Sequence, residues 1–343
     1  LTLVTGVQTC ALPIFLESVF YLKNGISINE LSFIQKHDDM FYIESVDKNQ
    51  EKRYSFDGDS LLEEIDLQLV SLYDRFRDLF FIDKNQYYFE YSILPNFICN
   101  AGYDSDCALT KTDLIELLKN DDLFLNIENR FKHLYFNDCC FLIRTIQNLM
   151  MNLQNDFINY YVELPNVGEY SKTFNRDGVF FEVSNITTNI SNLVDNYFIR
   201  AYSILDLFCK IATEIEFPEK EFVRYKKLNS SKKIWGDRKN LKINGSIGTI
   251  FEKCETISII ESLRNEIVHN GSWEFSPKVF VVCENSKIIE RFMLFPDIEQ
   301  GRLATLQNRK HFFGDGIKVN DKFVEIHFDF FKRIFNTLNF LLK

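Results

Sequence analysis

From Ser184 to Glu216 the apolar positions Ile186, Ile190, Leu193, Tyr197, Ala201, Ile204, Phe208, Ile211 and Ile215 recur at intervals of three and four residues. That spacing keeps side chains on one face of a 3.6-residue turn, so the stretch predicts one amphipathic helix of about 30 residues, roughly 45 Å long. The same period in Leu62, Ile65, Leu69, Leu72, Phe76 and Leu79 predicts a helix over Ser60 to Phe80. It returns in Ile250, Cys254, Ile257, Ile260, Leu263 and Ile267, a helix from Ser246 to Val268 that Asn270-Gly271 stops. Thr110 and Asp113 form a capping box for a short helix from Lys111 to Lys119, and further helical patterns cover Asp122 to Tyr135, Asp138 to Tyr160 and Asp329 to Leu342.

Strand signals are fewer. Met40 to Phe56 reads as a hairpin, MFYIESV and KRYSF across Asp47 to Glu51, and Gln86 to Ile93 as a strand ending before Pro95. Lys278 to Phe295 alternates around Glu284-Asn285-Ser286, and Ile317 to His327 reads as another hairpin turning at Asn320-Asp321. The segment Glu163 to Gly178 collects Pro, Asn, Gly, Ser and Asp, which places a domain boundary there. The expected fold is mainly α: a C-terminal helical domain over 166–343 with a small β-hairpin insertion before its last helix, preceded by a mixed α+β domain over 15–165.

With 343 residues, 46% of them hydrophobic, the chain can bury two cores, and a disordered or fibrous protein is excluded. The net charge of −10 excludes a uniformly basic nucleic-acid coat. It is unevenly spread: residues 1 to 165 carry 13 basic and 26 acidic side chains, the remainder 26 and 23. Eight scattered cysteines with no Cys-x-x-Cys pair read as reduced thiols, which suits a cytoplasmic protein and gives no metal site or cofactor. No run reaches the roughly 18 apolar residues of a membrane span, so a soluble chain without a membrane partner is expected. Residues 1–14, LTLVTGVQTCALPI, resemble a translated sequencing-adapter fragment, which implies that the natural N-terminus lies elsewhere. His37 and His133 stand alone and read as ordinary surface or core residues.

Between the two C-terminal helices, Glu219 to Lys242 holds nine cations against three carboxylates, net +6. Lys226, Lys227, Lys232, Lys233, Arg238 and Lys239 are the candidate phosphate contacts, with Tyr225 and Trp235 interleaved as candidate stacking rings. The competing reading is a solvated inter-helix loop.

The sharpest signal is ESLRNEIVHNG, residues 261 to 271. Asn265 and His269 are four apart and share a helix face, while Arg264 lies about 140° round and depends on its length to reach the same place. An imidazole, a permanent guanidinium and an amide make a set able to cleave a phosphodiester. With 14 Arg and five His in the chain, Arg-x-x-x-x-His is expected by chance about 0.2 times, and with Asn after Arg about 0.02 times. The competing reading is a helix end at which His269 caps carbonyls and Arg264 pairs with Glu261.

LRNEIVHNG after a long amphipathic helix resembles the HEPN superfamily, over about residues 180–343. The matching motif residues are Arg264, Asn265 and His269, and Arg200 to Asp206 is similar to part of the family's opening helix. The resemblance implies a helical bundle, a homodimer and a metal-independent ribonuclease without cofactor, of the kind found in toxin–antitoxin and antiviral defence systems. RNA is the partner it implies, with an antitoxin or defence protein as a further one. Cleavage would proceed by 2′-hydroxyl attack to a 2′,3′-cyclic phosphate, two copies of His269 across the dimer sharing the acid and base roles. Two other classes stay open: a non-catalytic HEPN-like module that binds RNA, a nucleotide or a protein, and a structural helical adaptor whose interfaces draw on the 35 Phe.

Overall fold

The computed structural model describes residues 59–168 and 177–343, together with three short strands nearer the N-terminus. Residues 1–14 and His37 lie outside the described residues. The elements in order are β1 (Phe20–Tyr21), β2 (Val46–Asp47), β3 (Lys52–Tyr54), α1 (Asp59–Phe80), α2 (Lys84–Ile93), α3 (Asn96–Asn100), α4 (Lys111–Lys119), α5 (Arg130–Glu163), β4 (Gly178–Glu182), α6 (Asn185–Glu216), α7 (Glu255–Asn270), β5 (Val279–Glu284), β6 (Lys287–Phe292), β7 (Ile298–Glu299), β8 (Arg302–Leu303) and α8 (Val319–Leu341). The described residues are mainly helical, as the apolar periodicity requires. None of their helices is long and apolar enough to cross a membrane.

Several elements match their patterns closely. α1 and α6 fall where the three-and-four spacing puts them, and α4 follows the Thr110–Asp113 capping box, which is formed on both sides. Of the hairpin expected over Met40 to Phe56, β2 pairs antiparallel with β3, Val46 opposite Arg53 and Asp47 opposite Lys52, and the remainder lies outside the described residues; β1 lies on the other side of β3. β5 and β6 form the hairpin expected after α7, turning at Asn285 and Ser286, both with positive φ (49° and 59°). β4 joins that hairpin antiparallel along β5, with Phe181 opposite Phe280.

Four expectations are corrected. Gln86 to Ile93 is helix α2, not a strand: Asp83 caps it by accepting from the Asn85 and Gln86 N–H groups, and the buried positions are Tyr87 and Glu90. The two helices expected over 122–160 are a short 3-10 turn (Asp121–Phe124) followed by the single helix α5. Asn137 and Asp138 resemble a cap in sequence, but their side chains bond the Cys99 carbonyl and the Tyr225 hydroxyl, leaving the helix unbroken. α7 begins at Glu255 and not near Ser246, because Gly245 and Gly248 turn the backbone at φ 81° and 76°. The expected hairpin at Asn320-Asp321 is the first turn of α8, where Asn320 donates to the Arg291 carbonyl and accepts from the Tyr160 hydroxyl.

The chain divides into two compact units, each assembled from separated stretches. One comprises Leu1–Ile65, Asn152–Arg200 and Lys253–Phe335, the other Asp66–Met151, Ala201–Glu252 and Asn336–Lys343. The first has an aromatic core in which His327 stacks on Phe157 (ring centroids 4.0 Å apart) and Phe323 meets Tyr197 edge-on at 4.5 Å. In the second, Phe80 packs edge-on against Tyr135 and Phe222, and Leu94, Ile98, Phe124, Ile127 and Leu134 form a smaller cluster. His133 is a core residue here, its Nε2 2.9 Å from the buried Glu90 carboxylate.

Candidate active site

α7 carries two chemically distinct faces. Ile257, Ile260, Leu263 and Ile267 are buried, while Ser258, Ser262, Asn265 and His269, spaced four, three and four apart, line an open cleft. Gly271 ends the helix in the left-handed region (φ 100°), its N–H donating to the Ile267 carbonyl at 3.1 Å. His269 therefore sits exposed in the last turn.

The β7–β8 hairpin and the loop after it form the opposite wall. Leu303 N–H donates to Ser262 Oγ at 3.2 Å. A Cβ on Gly301 would lie 2.6 Å from the Ser258 Cβ, and Gly301 has φ 78°, so glycine alone allows the hairpin this close to α7. Buried Asp297 fixes the loop beyond: its carboxylate accepts from the Gly314 and Asp315 N–H groups at 2.8 and 3.1 Å, its carbonyl from Ala304 N–H at 2.9 Å. The resulting cleft is about 560 Å³, and it receives Asn265, Glu266 and His269 from one wall and Arg302, Thr305 and Lys310 from the other.

Glu266 links the two walls. Its buried carboxylate accepts from Lys310 Nζ at 3.1 Å, from Asn270 Nδ2 at 2.9 Å and lies 3.1 Å from His311 Nε2. Burial pushes the Glu266 carboxyl up, but the hydrogen bonds from Lys310, Asn270 and His311 together outweigh it and hold the group below its ordinary value. An ionised carboxylate only accepts, so His311 Nε2 carries the proton between them.

Of the three motif residues, the structure brings Asn265 and His269 into the cleft. Arg264 is half-buried and does not line it; its Nη1 donates to Asn265 Oδ1 at 3.0 Å. The cations that do line the cleft are Arg302 and Lys310, which sequence spacing missed together with Glu266 and His311. The local trace available in sequence was Glu266 three residues before His269, one turn away on the same helix. Among the described residues no group of three or more His, Cys, Asp and Glu is placed to hold a metal ion.

The basic strip belongs to the other unit. Lys227, Lys232 and Lys239 are exposed, Lys233 and Arg238 half-buried, and Lys226 pairs with Glu219 at 3.1 Å. Three carboxylates of α6 hold the segment by its backbone: Asp206 accepts from Trp235 N–H at 2.6 Å, Glu214 from Ser230 at 2.7 Å and Glu216 from Lys242 at 2.8 Å. Trp235 is 1% exposed with the Arg238 guanidinium 4.4 Å from its ring centre, so it is core and offers no face to a base. Tyr225 is exposed, with its hydroxyl donating to Asp138, whose carboxyl burial pushes up to about 7.

Comparison with protein-family models, with curated proteins and with solved structures gives no match for the chain.

Proposed function

We propose that the chain is a metal-independent endoribonuclease of the Arg-x4-His, HEPN type, working in the α7 cleft in bacterial defence or as a toxin. The observation that carries this reading is the placement of His269 and Asn265, both exposed, in a polar cleft whose far wall supplies Arg302 and Lys310. A scissile phosphate in that cleft meets cations able to offset the charge that builds on its oxygens during 2′-hydroxyl attack. His269 exchanges the proton with a reacting oxygen. Asn265, its carbonyl engaged by Arg264, keeps its amide N–H groups for the substrate or the imidazole. Arg264 is on this account a positioning residue. Lys226, Lys227, Lys232, Lys233, Arg238 and Lys239 are the residues that contact RNA phosphates, and the assembly that goes with the family is a homodimer.

The test is end-group analysis of RNA incubated with the purified chain. The reading expects 2′,3′-cyclic phosphate and 5′-hydroxyl ends, and no cleavage at a position whose 2′-hydroxyl is replaced by hydrogen. A second reading, an RNA-binding module without catalysis, is favoured by the position of Arg264, which does not itself line the cleft and donates to Asn265; it expects RNA bound and returned intact.

A further inference from the structure

The two cations of the far wall, Lys310 and Arg302, stand beside different stretches of α7. Lys310 Nζ lies 3.1 Å from the carboxylate of Glu266, one turn before His269, so this cation is close to the imidazole. Arg302 is held further back along the helix. Its neighbour Gly301 abuts Ser258, and the N–H of its other neighbour, Leu303, donates to Ser262 Oγ at 3.2 Å. His269 lies two turns beyond Ser262, about 10 Å along the axis. That is more than one phosphate group spans, yet both cations line the same cleft. They also differ in what they already hold. The Lys310 ammonium is paired with Glu266, whereas the Arg302 side chain is exposed and makes no hydrogen bond or ion pair among the described residues. Glu261, on the same stretch of α7, is a carboxylate of the lining, so Arg302 is the lining group that draws an anion to this end.

We infer that Arg302 anchors a phosphate that flanks the scissile one, so that the substrate is a single RNA strand of at least two phosphates laid along α7 from His269 towards Ser258. The inference rests on the ribonuclease reading and deepens it, and it applies alike to each copy of the chain in a two-copy site. The guanidinium fork presents two parallel N–H donors to two oxygens of one phosphate, a geometry that fixes orientation as well as charge. Holding the strand at a point remote from the reacting bond sets its register on His269 and lowers the entropy still to be lost in reaching the transition state. Arg302 is therefore a positioning residue, and the length of strand between its phosphate and the scissile one is set by the β7–β8 hairpin. Gly301 fixes that distance, because it lets the hairpin rest against Ser258.

The experiment uses the full chain, its Arg302→Gln and Arg302→Lys variants, and an RNA that the parent cleaves at one position. In a set of copies of that RNA, one flanking phosphate at a time is made neutral as a methylphosphonate on a 2′-deoxy nucleotide, the scissile phosphate being left intact. With the parent, neutralising one particular flanking phosphate is expected to lower kcat/KM about tenfold or more, the effect of losing a hydrogen bond to a charged group. Arg302→Gln is expected to lose as much on the unmodified RNA and nothing further on that neutral copy, since the two changes remove one interaction. Arg302→Lys should fall between, keeping the charge without the fork. Binding of a copy with hydrogen for the 2′-hydroxyl at the cleaved position should lose about 0.7 of its logarithmic salt slope in Arg302→Gln. The inference is overturned if Arg302→Gln cleaves the unmodified RNA within a few-fold of the parent, or if the salt slope is unchanged. It is also overturned if the variant's loss stays the same on every neutral copy, which would place Arg302 on the scissile phosphate or in the fold. A parent that cleaves no RNA overturns the ribonuclease reading and the inference with it, an outcome distinct from an active parent indifferent to Arg302.

Discussion

His327 gives the most quantitative handle on the fold. It lies on α8 inside the aromatic core, 2% exposed, its Nε2 2.9 Å from Gln154 Oε1 and its Nδ1 3.2 Å from the Tyr197 hydroxyl. The neutral ring satisfies both contacts, donating from Nε2 and accepting at Nδ1, so folding selects the uncharged form. Burial drops its pKa from 6.5 to about 3. Between those values the unfolded chain takes up a proton that the folded chain refuses, so this group destabilises the fold as pH falls below 6.5. From pH 7 to pH 5 the difference in proton uptake costs about 2 kcal/mol. Asp138 and Asp195, whose carboxyls burial pushes up to about 7 and about 6, act in the opposite sense, because the folded chain keeps protons that the unfolded chain releases. Total acid stability therefore mixes both, whereas a difference between two chains isolates the histidine. His327→Gln removes the titration and keeps a donor and an acceptor. Its stability penalty, measured by urea unfolding, should be about 2 kcal/mol smaller at pH 5 than at pH 7. An equal penalty at the two pH values would show that His327 is not held neutral in the core.

Gly301→Ala should destabilise the chain by about 1–3 kcal/mol, from the 2.6 Å approach to Ser258 and the positive φ, seen as a lower urea midpoint. Replacing Lys227, Lys232 and Lys239 by Gln should weaken RNA binding and flatten its dependence on salt, by about 0.7 in the logarithmic slope for each phosphate no longer neutralised; an unchanged slope would make the strip a bystander.

What sequence periodicity reveals is whatever a single element records in its own residues. α6 shows its apolar stripe along its whole length, and the end of α7 is written in Asn270-Gly271. α2 misleads because Phe89, Tyr91 and Ile93 alternate as in a strand yet are exposed, while a core position is occupied by Glu90, a charge that only its partners explain. Those partners, the Glu128 N–H, Asn129 and His133, come from the start of α5 and from the turn before it. α8 misleads at Asn320, a turn residue by type whose side chain serves long-range bonds to Tyr160 and Arg291. The site divides in the same way. Asn265 and His269 share one helix and are legible from their spacing. Glu266 belongs to the same helix, but its role depends on Lys310 and His311, and Arg302 reaches the cleft only because Gly301 lets a hairpin lie against α7. No local pattern contains those interactions. Trp235 shows the converse: an aromatic amid lysines suggests a stacking surface, and packing places it in the core instead.

The decisive measurement is cleavage of RNA by His269→Ala, with circular dichroism and urea unfolding to follow the fold. His269 is exposed on the last turn of α7, so its removal leaves the buried face of the helix and the Gly271 stop in place. The predicted result is a loss of at least about 10² to 10⁴-fold in kcat/KM, the contribution of a positioned proton-transfer group, with stability close to that of the parent. A His269→Ala chain that cleaves RNA at the parent rate would contradict the assignment of the α7 cleft as the active site, and a chain that unfolds would make His269 a structural cap.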